Sequence, residues 1–138
     1  MATALIPHLV VNDGVAAIEF YKAALGAAEE RRVPAEDGKR LMHAQLNIDG
    51  LTLMLCDEFP EYCQEGHRHA SAKTLGGSPV TLHLNVANCD EAVARAAAAG
   101  ATVTMPPWDA FWGDRYAKIE DPFGHSWSVS HPLPGKQW

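Results

Sequence analysis

The sequence predicts an α+β protein in which paired βαβββ modules form a curved eight-stranded mixed sheet with the helices outside. The order strand, helix, strand, hairpin occurs twice, with an offset of about 75 residues. Most predicted strands alternate apolar and polar residues, so that each sheet has an apolar face for its helix and a polar face. We predict a single domain over residues 1–138, with repeats at 5–57 and 79–131 joined by a loop at 58–78.

The first repeat opens with a strand at residues 5–11, in which Pro7 indicates an edge position or a strand start. Asn12 and Asp13 are good N-caps for a helix from about residue 14 to 25, and Gly26 is a typical helix end. Further strands are predicted at 27–33, 41–48 and 51–56, with a hairpin turn at Asp49-Gly50.

The second repeat begins with an alternating strand at residues 80–86. Asn88 and Glu91 have the spacing of a capping box, which predicts a helix over 90–99 that ends at Gly100. A strand follows from about residue 102 and is interrupted by Pro106-Pro107. The chain closes with a hairpin, strands 116–120 and 125–130, around an Asp-Pro-Phe-Gly turn.

Composition limits the partners and the compartment. A net charge of -6 argues against nucleic acid and anionic membranes, and no apolar run reaches the roughly 20 residues of a membrane span. The first residues lack the features of a signal peptide, and an odd number of cysteines indicates free thiols. We therefore expect a cytoplasmic protein. In the loop, His67 and His69 are interpreted as solvated residues rather than metal ligands.

The polar strand faces supply the candidate ligand-binding residues. A cleft with an apolar minority and convergent polar groups suits a small organic molecule. The aromatic residues near the last hairpin favour a flat or cationic ligand, although packing in the core or in a dimer interface would explain them equally well. The candidates are His8, His43, Gln45, Met54, Thr81, His83, Asn85, Trp112, Tyr116 and Ser128.

Several segments resemble one protein family. The doubled βαβββ order, residues 17–21 (AIEFY), Leu25-Gly26 and residues 120–124 (EDPFG) are the features that carry the resemblance. Together they resemble the vicinal oxygen chelate superfamily, which includes glyoxalase I, extradiol dioxygenases, and bleomycin- and fosfomycin-resistance proteins. A narrower resemblance, to the PhnB-like branch of this superfamily, rests on residues 42–46 (MHAQL), 53–58 (LMLCDE) and 112–115 (WGDR). The resemblance covers residues 5–130 and implies the fold more specifically than any reaction.

The resemblance also implies where a metal would bind. Metal enzymes of the superfamily take ligands from the first strand and from the last hairpin strand of each half. Those positions here are Ile6, Met54, Thr81 and Ser128. Isoleucine is no ligand, and neutral hydroxyl groups bind divalent cations weakly. We therefore expect no cofactor, while a divalent metal held elsewhere in the cleft stays open.

Three histidines are predicted on the polar faces. His8 and His83 are 75 residues apart in the chain and equivalent in the two repeats, and His43 lies on the polar face of its own strand. Converging imidazoles could hold a displaced metal, perform acid–base chemistry, or donate hydrogen bonds to a ligand. For catalysis the candidates are His83 and Glu120, unless Glu120 simply pairs with Lys118.

Two functions follow. The first is a small-molecule-binding protein of the resistance-protein type that lacks the usual metal site. The alternative is a lyase, isomerase or dioxygenase that uses cleft histidines or Glu120, with or without a divalent metal. We leave open whether the protein is an enzyme. Half-sheets with exposed edges need cover, so we predict a homodimer, whose subunits either keep or exchange their modules.

Overall fold

The computed structural model of the protein describes residues 1–64 and 69–135 and shows two βαβββ modules. The first consists of β1 (His8–Val11), α1 (Gly14–Leu25), β2 (Ala28–Pro34), β3 (Leu41–Ile48) and β4 (Leu51–Asp57). A connection that contains a short helix, α2 (Ala72–Leu75), leads to the second module. This module consists of β5 (Thr81–Asn85), α3 (Cys89–Ala99), β6 (Thr102–Asp109), β7 (Asp114–Glu120) and β8 (Ser126–Pro132).

The modules have the same topology. The eight strands are hydrogen-bonded as two four-stranded sheets, with the orders β1-β4-β3-β2 and β5-β8-β7-β6. In each sheet the first strand pairs in parallel with the last and the remaining pairs are antiparallel. The register repeats as well, because His8 lies opposite Met54 in one sheet and His83 opposite Ser128 in the other. The predicted α+β fold of paired βαβββ modules is confirmed.

Both long helices have the N-caps and the ends that the sequence predicts, although α3 begins at Cys89, one residue earlier than predicted. The Asp13 side chain accepts a hydrogen bond from the Ala16 amide, and the Asn88 side chain accepts one from the Glu91 amide, at 3.1 Å in each case. Gly26 ends α1 in the left-handed conformation, with a φ of 68°, which a residue with a side chain rarely adopts. None of the helices in the described part of the chain is long and apolar enough to cross a membrane.

The two modules share one hydrophobic core. Helix α1 packs against α3, and the buried residues of both sheets belong to a single cluster. Aromatic side chains of α1 reach the last hairpin of the second module: the ring centroids of Phe20 and Phe123 are 6.1 Å apart, and those of Tyr21 and Trp127 are 5.7 Å apart. The polar sheet faces therefore lie on the side of each sheet that is turned away from this core.

The first strand is shorter than predicted. Strand β1 begins at His8, and Leu5 is 99% exposed rather than packed under a helix. Pro7 explains the difference, because it has no N–H group to donate; only its carbonyl oxygen joins the sheet, accepting from the Met54 amide at 3.0 Å. Ile6 therefore precedes the strand.

Two irregularities lie in strands β3 and β6. In the pairing of β2 with β3, Val33 lies opposite His43 but Pro34 lies opposite Leu41, which leaves Met42 as an extra residue. This bulge turns Leu41 into the core and exposes Met42. Strand β6 continues through Pro106-Pro107 instead of stopping there, since it is an edge strand and its register with β7 shifts at that point.

The described parts of the predicted loop 58–78 contain local structure. A 3₁₀ turn spans Pro60–Tyr62, and α2 follows further along, capped by Ser71. Glu58 ties the two ends of the connection together, because its carboxylate accepts from the Ser71 amide at 2.6 Å and from the Thr74 hydroxyl at 2.5 Å. Helix α2 contacts β1, so the connection covers the outer edge of the first sheet.

Candidate ligand-binding site

The polar face of the second sheet is built by the parallel pairing of β5 with β8. Because alternate residues of a strand point to the same side, the side chains of both strands form two adjacent rows on this face. The β5 row consists of Thr81, His83 and Asn85, and the β8 row of Ser126, Ser128 and Ser130. Thr81 and Ser126 are joined by a hydroxyl hydrogen bond of 3.1 Å.

His83 is held at both ring nitrogens. Its Nδ1 is 2.7 Å from the Ser128 hydroxyl, and its Nε2 is 3.0 Å from Oδ1 of Asn85 and 3.1 Å from the Ser130 hydroxyl. An amide oxygen can only accept a hydrogen bond, so Nε2 carries the proton and donates it. Nδ1 is then the acceptor for the Ser128 hydroxyl. The network thus defines the tautomer and orientation of the imidazole.

A row of aromatic rings continues from His83. Its ring is stacked on that of Tyr116, with a centroid distance of 6.1 Å and an interplanar angle of 14°. Trp112 meets Tyr116 edge-on at 5.4 Å, and also contacts Phe111 at 5.0 Å and Trp108 at 5.6 Å. Phe111 is 92% exposed and both tryptophans are partly exposed, so this aromatic row is a surface feature and not part of the core.

A cavity of about 360 Å³ lies beside His83, at the boundary between the modules. On one side it is lined by Leu82, His83 and Leu84 of β5, and on the other by the segment before β1 and by the start of β4. A second cavity of about 360 Å³ shares Leu51 and Leu84 with the first and extends toward α3. Together they form a largely apolar groove along β5, which suits an organic ligand.

The polar face of the first sheet carries the remaining candidates. The rings of His8 and His43 are 5.9 Å apart and nearly perpendicular. Met54 lies opposite His8 in one strand pair and opposite Gln45 in the other, and the Gln45 amide donates to Glu30 at 3.3 Å. Burial lowers the pKa of His8 below its usual value, and the neighbouring His43 and His69 lower it further.

The structure divides the three predicted imidazoles into two groups. His8 and His43 contact each other on the first sheet, whereas His83 makes its polar and ring contacts, within the described part of the chain, with residues of the second module. His69 lies near the first group, with Nε2 3.7 Å from the Cys56 sulfur, and His67 lies outside the described residues. Within residues 1–64 and 69–135, no three His, Cys, Asp or Glu side chains are placed to hold a metal ion.

The four metal positions implied by the superfamily do not fit a divalent cation. Ile6 offers no donor atom, and the hydroxyl groups of Thr81 and Ser128 are hydrogen-bonded to Ser126 and His83. Met54 supplies only a thioether, which prefers soft metals. With no carboxylate or imidazole at any of these positions, this donor set is unsuited to the metal chemistry of the superfamily.

Glu120 lies apart from the His83 network. It is exposed at the end of β7, opposite Ser126, and lines a small surface hollow with Lys73. Among the described residues, no ion pair joins Glu120 to Lys118. Lys118 instead lies opposite Ser128 in the pairing of β7 with β8.

Two kinds of residue at the site were not predicted from the sequence. Ser130 contacts His83, and its position two residues beyond Ser128 in an alternating strand could have identified it. Leu51 and Leu82 line the cavity although their apolar character assigned them to the helix-covered side. No local pattern distinguishes such residues, because the cavity arises where two modules meet.

The fold and the sequence define the family. A sequence profile of the glyoxalase/bleomycin resistance protein/dioxygenase superfamily matches residues 4–129, and the chain belongs to this superfamily. An uncharacterized protein of Mycobacterium bovis, Mb0911c, is 50% identical over 130 residues, which cover 94% of this chain and 84% of that protein. The uncharacterized protein Rv0887c of Mycobacterium tuberculosis is also 50% identical over 130 residues, covering 94% of this chain and 75% of the relative.

Solved structures show the same architecture. TioX from Micromonospora sp. ML1 superposes with a TM-score of 0.73 at 26% identity, covering 96% of this chain and 100% of that chain. The Arabidopsis thaliana gene product At5g48480 superposes with a TM-score of 0.71 at 28% identity, covering 94% of this chain and 99% of that chain.

Proposed function

We propose that the protein binds a flat, small organic molecule beside His83 without the help of a metal ion, as a member of the PhnB-like branch of its superfamily. The observation that carries this proposal is His83, which lines a cavity of about 360 Å³ and is stacked on Tyr116. The cavity supplies apolar contact, and the aromatic row supplies a face on which a planar group can stack.

The rigidity of the pair supports this function. Since both nitrogens of His83 are hydrogen-bonded within the protein, the ring keeps its position when no ligand is bound. A preorganised binding surface loses little conformational entropy when a ligand arrives, which favours affinity. The net charge of -6 makes the surroundings compatible with a cationic ligand as well as a neutral one.

Thermal-shift screening against antibiotics and aromatic metabolites identifies ligands, because a ligand that binds only the folded state raises the melting temperature. Titration calorimetry then compares the wild type with Tyr116→Ala and with Tyr62→Ala. Tyr62 is the matched control, since it is also a tyrosine stacked on an aromatic ring, that of Phe59, but is exposed and lies outside the site.

We expect Tyr116→Ala to weaken binding by about tenfold, which corresponds to one aromatic contact, and Tyr62→Ala to leave it unchanged. Equal affinities in all three proteins would place the ligand elsewhere and overturn the proposal. A hit that is bound and never converted favours a binding protein over a lyase, isomerase or dioxygenase.

We also propose a homodimer in the cytoplasm. Among the described strands, β5 is an edge strand without a partner on its outer side, and apolar side chains are exposed near it: Val80 at 60% and Leu51 at 58%. A second copy that covers this edge would bury them. Exchange of modules between subunits is one way to do so.

The free cysteines suit a reducing compartment, and the acidic charge opposes binding to nucleic acid or anionic membranes.

A further inference from the structure

We propose that Ser128, His83 and Asn85 form a nucleophile–base–orienter triad that transfers the acyl group of an aromatic ester or thioester. This inference rests on the proposed ligand site and adds a reaction to it. Nucleophilic hydroxyl groups in enzymes are recognised by a base within hydrogen-bonding distance and a third group that orients the base.

The distances meet this requirement. The Ser128 hydroxyl lies 2.7 Å from Nδ1 of His83, and Nε2 of the same ring lies 3.0 Å from Oδ1 of Asn85. Because the amide oxygen fixes the proton on Nε2, Nδ1 presents its lone pair to the serine hydroxyl. The base is therefore in the tautomer that can accept the proton of Ser128.

The backbone fixes this geometry. His83 and Asn85 are two residues apart on β5, and His83 lies directly opposite Ser128 on the paired strand β8. All three side chains stand on the same face of one sheet, where rigid strands rather than loops hold them. Stacking on Tyr116 further restrains the imidazole ring. Sites on rigid elements keep the small tolerances that catalysis needs.

The surroundings favour charge development at this point. Ser128 is only 3% exposed, but its hydrogen-bond partner His83 is exposed, so substrate and water approach the Ser128 hydroxyl group along the imidazole ring. Lys118 lies opposite Ser128 in the pairing of β7 with β8, so both side chains stand on the same face of the sheet. A positive charge on this face stabilises the oxyanion of a tetrahedral intermediate.

The reaction balances with water as the only co-reactant. Oγ of Ser128 forms a bond to the acyl carbon while its proton passes to Nδ1 of His83. The tetrahedral intermediate then collapses, the bond to the alkoxide or thiolate breaks, and the leaving group takes the proton from Nδ1. Water next attacks the acyl-serine and gives a proton to Nδ1 of His83. The ester bond to Ser128 then breaks, Oγ of Ser128 takes that proton back, and the carboxylic acid leaves.

The test uses a fluorophosphonate, which phosphonylates activated serines and releases fluoride, and p-nitrophenyl benzoate as an aromatic ester. Peptide mass spectrometry locates the modification, and absorbance follows ester hydrolysis. The variants are Ser128→Ala, His83→Ala, Asn85→Ala and the matched control Ser126→Ala, which removes a hydroxyl from the same strand and face outside the triad.

We expect one phosphonyl group on Ser128 in the wild type and in Ser126→Ala, and none on this strand in Ser128→Ala. His83→Ala should slow both reactions by about 10²- to 10⁴-fold, the usual contribution of a general base. Asn85→Ala should slow them less than His83→Ala does. Nitrogen-15 chemical shifts of wild-type His83 provide a readout independent of any variant's folding, and should show a proton on Nε2 and none on Nδ1.

Failure of this inference and failure of the proposed function look different. A ligand that binds to a protein whose Ser128 is neither phosphonylated nor acylated overturns the triad and leaves the binding proposal standing. Phosphonylation of Ser128 in a protein that no ligand stabilises supports the triad and overturns the binding proposal. A proton on Nδ1 of His83, or modification that is lost equally in Ser126→Ala, overturns the triad.

Discussion

The hydroxyl group of Tyr21 donates a hydrogen bond of 2.5 Å to Oδ2 of Asp121, although the two residues are 100 positions apart in the chain. Trp127 donates to the same oxygen at 2.9 Å, and the amides of Phe123 and His125 donate to Oδ1. Asp121 therefore closes the turn of the last hairpin and also joins the helix of the first module to the second module.

This contact predicts a stability effect. Tyr21→Phe removes one hydrogen-bond donor from a buried carboxylate and leaves the aromatic packing in place. We therefore expect the free energy of unfolding to fall by about 1.5–3 kcal/mol. Urea unfolding measures the change. The control is Tyr62→Phe, whose hydroxyl is on an exposed ring; if both variants lose the same stability, the link between the modules is not the cause.

The same tyrosine predicts how stability depends on pH at the alkaline end. Burial, and after it the charge of Asp121, raise the pKa of Tyr21 well above the usual value of 10. Above pH 10 the unfolded chain releases this proton while the folded chain keeps it, so the contribution is complete below pH 10 and declines as pH rises further. Between pH 9.5 and 11, the unfolding free energy of Tyr21→Phe should therefore decline less steeply than that of the wild type. The difference in slope should correspond to roughly one titrating group.

Asp57 predicts a local effect in the first module. Its buried carboxylate accepts from the Gly14 amide at 2.8 Å and from the Leu41 amide at 2.7 Å, which fixes the start of α1 against β3. Asp57→Asn places an NH₂ group against one of these N–H donors and should lower the free energy of unfolding by about 1–3 kcal/mol. Asp49→Asn is the control, since Asp49 occupies an exposed turn at a φ of 50°, where asparagine is well accommodated. Chemical denaturation of both variants compares the sites, and equal effects would refute this role of Asp57.

The histidine pair of the first sheet predicts a titration. Burial first, and then His43 and His69, hold the pKa of His8 below the usual 6.5. As pH falls through 6.5 the unfolded chain binds this proton before the folded chain does, so His8 destabilises the fold under acid conditions. His43→Ala should raise the pKa of His8, as followed by the NMR shift of its ring C2 proton. An unchanged titration curve would show that the two imidazoles do not interact.

The oligomeric state gives a further prediction. Light scattering after size exclusion should report twice the chain mass of 14.9 kDa. Val80→Lys places a charge at the exposed edge of β5 and should shift the mass toward that of one chain, whereas Val15→Lys on the outer side of α1 should not. A single-chain mass for the wild type would contradict the dimer.

The sequence predicted those features that depend on local periodicity and capping. Alternation in β5 and β8 assigned His83, Asn85 and Ser128 to one face because side chains of a strand point in turn to opposite sides. The caps Asp13 and Asn88 were predicted because their side chains bond to amides only three residues away.

Features that depend on the packing of distant segments were not predictable in this way. The shortening of β1 and the bulge at Met42 follow from how each strand meets its partner. The separation of His8 and His43 from His83 follows from how the modules pack through α1 and α3. The structural role of Asp121 toward Tyr21 has no sequence signal, because its partner lies in the other module.

The most direct test of the account is a titration of a ligand from the screen into wild-type protein and Tyr116→Ala, each with and without EDTA. We expect wild-type affinity to be the same with and without the chelator, and to fall by about tenfold in Tyr116→Ala. Binding that disappears in EDTA, returns with a divalent cation and is indifferent to Tyr116 would contradict a metal-free site beside His83.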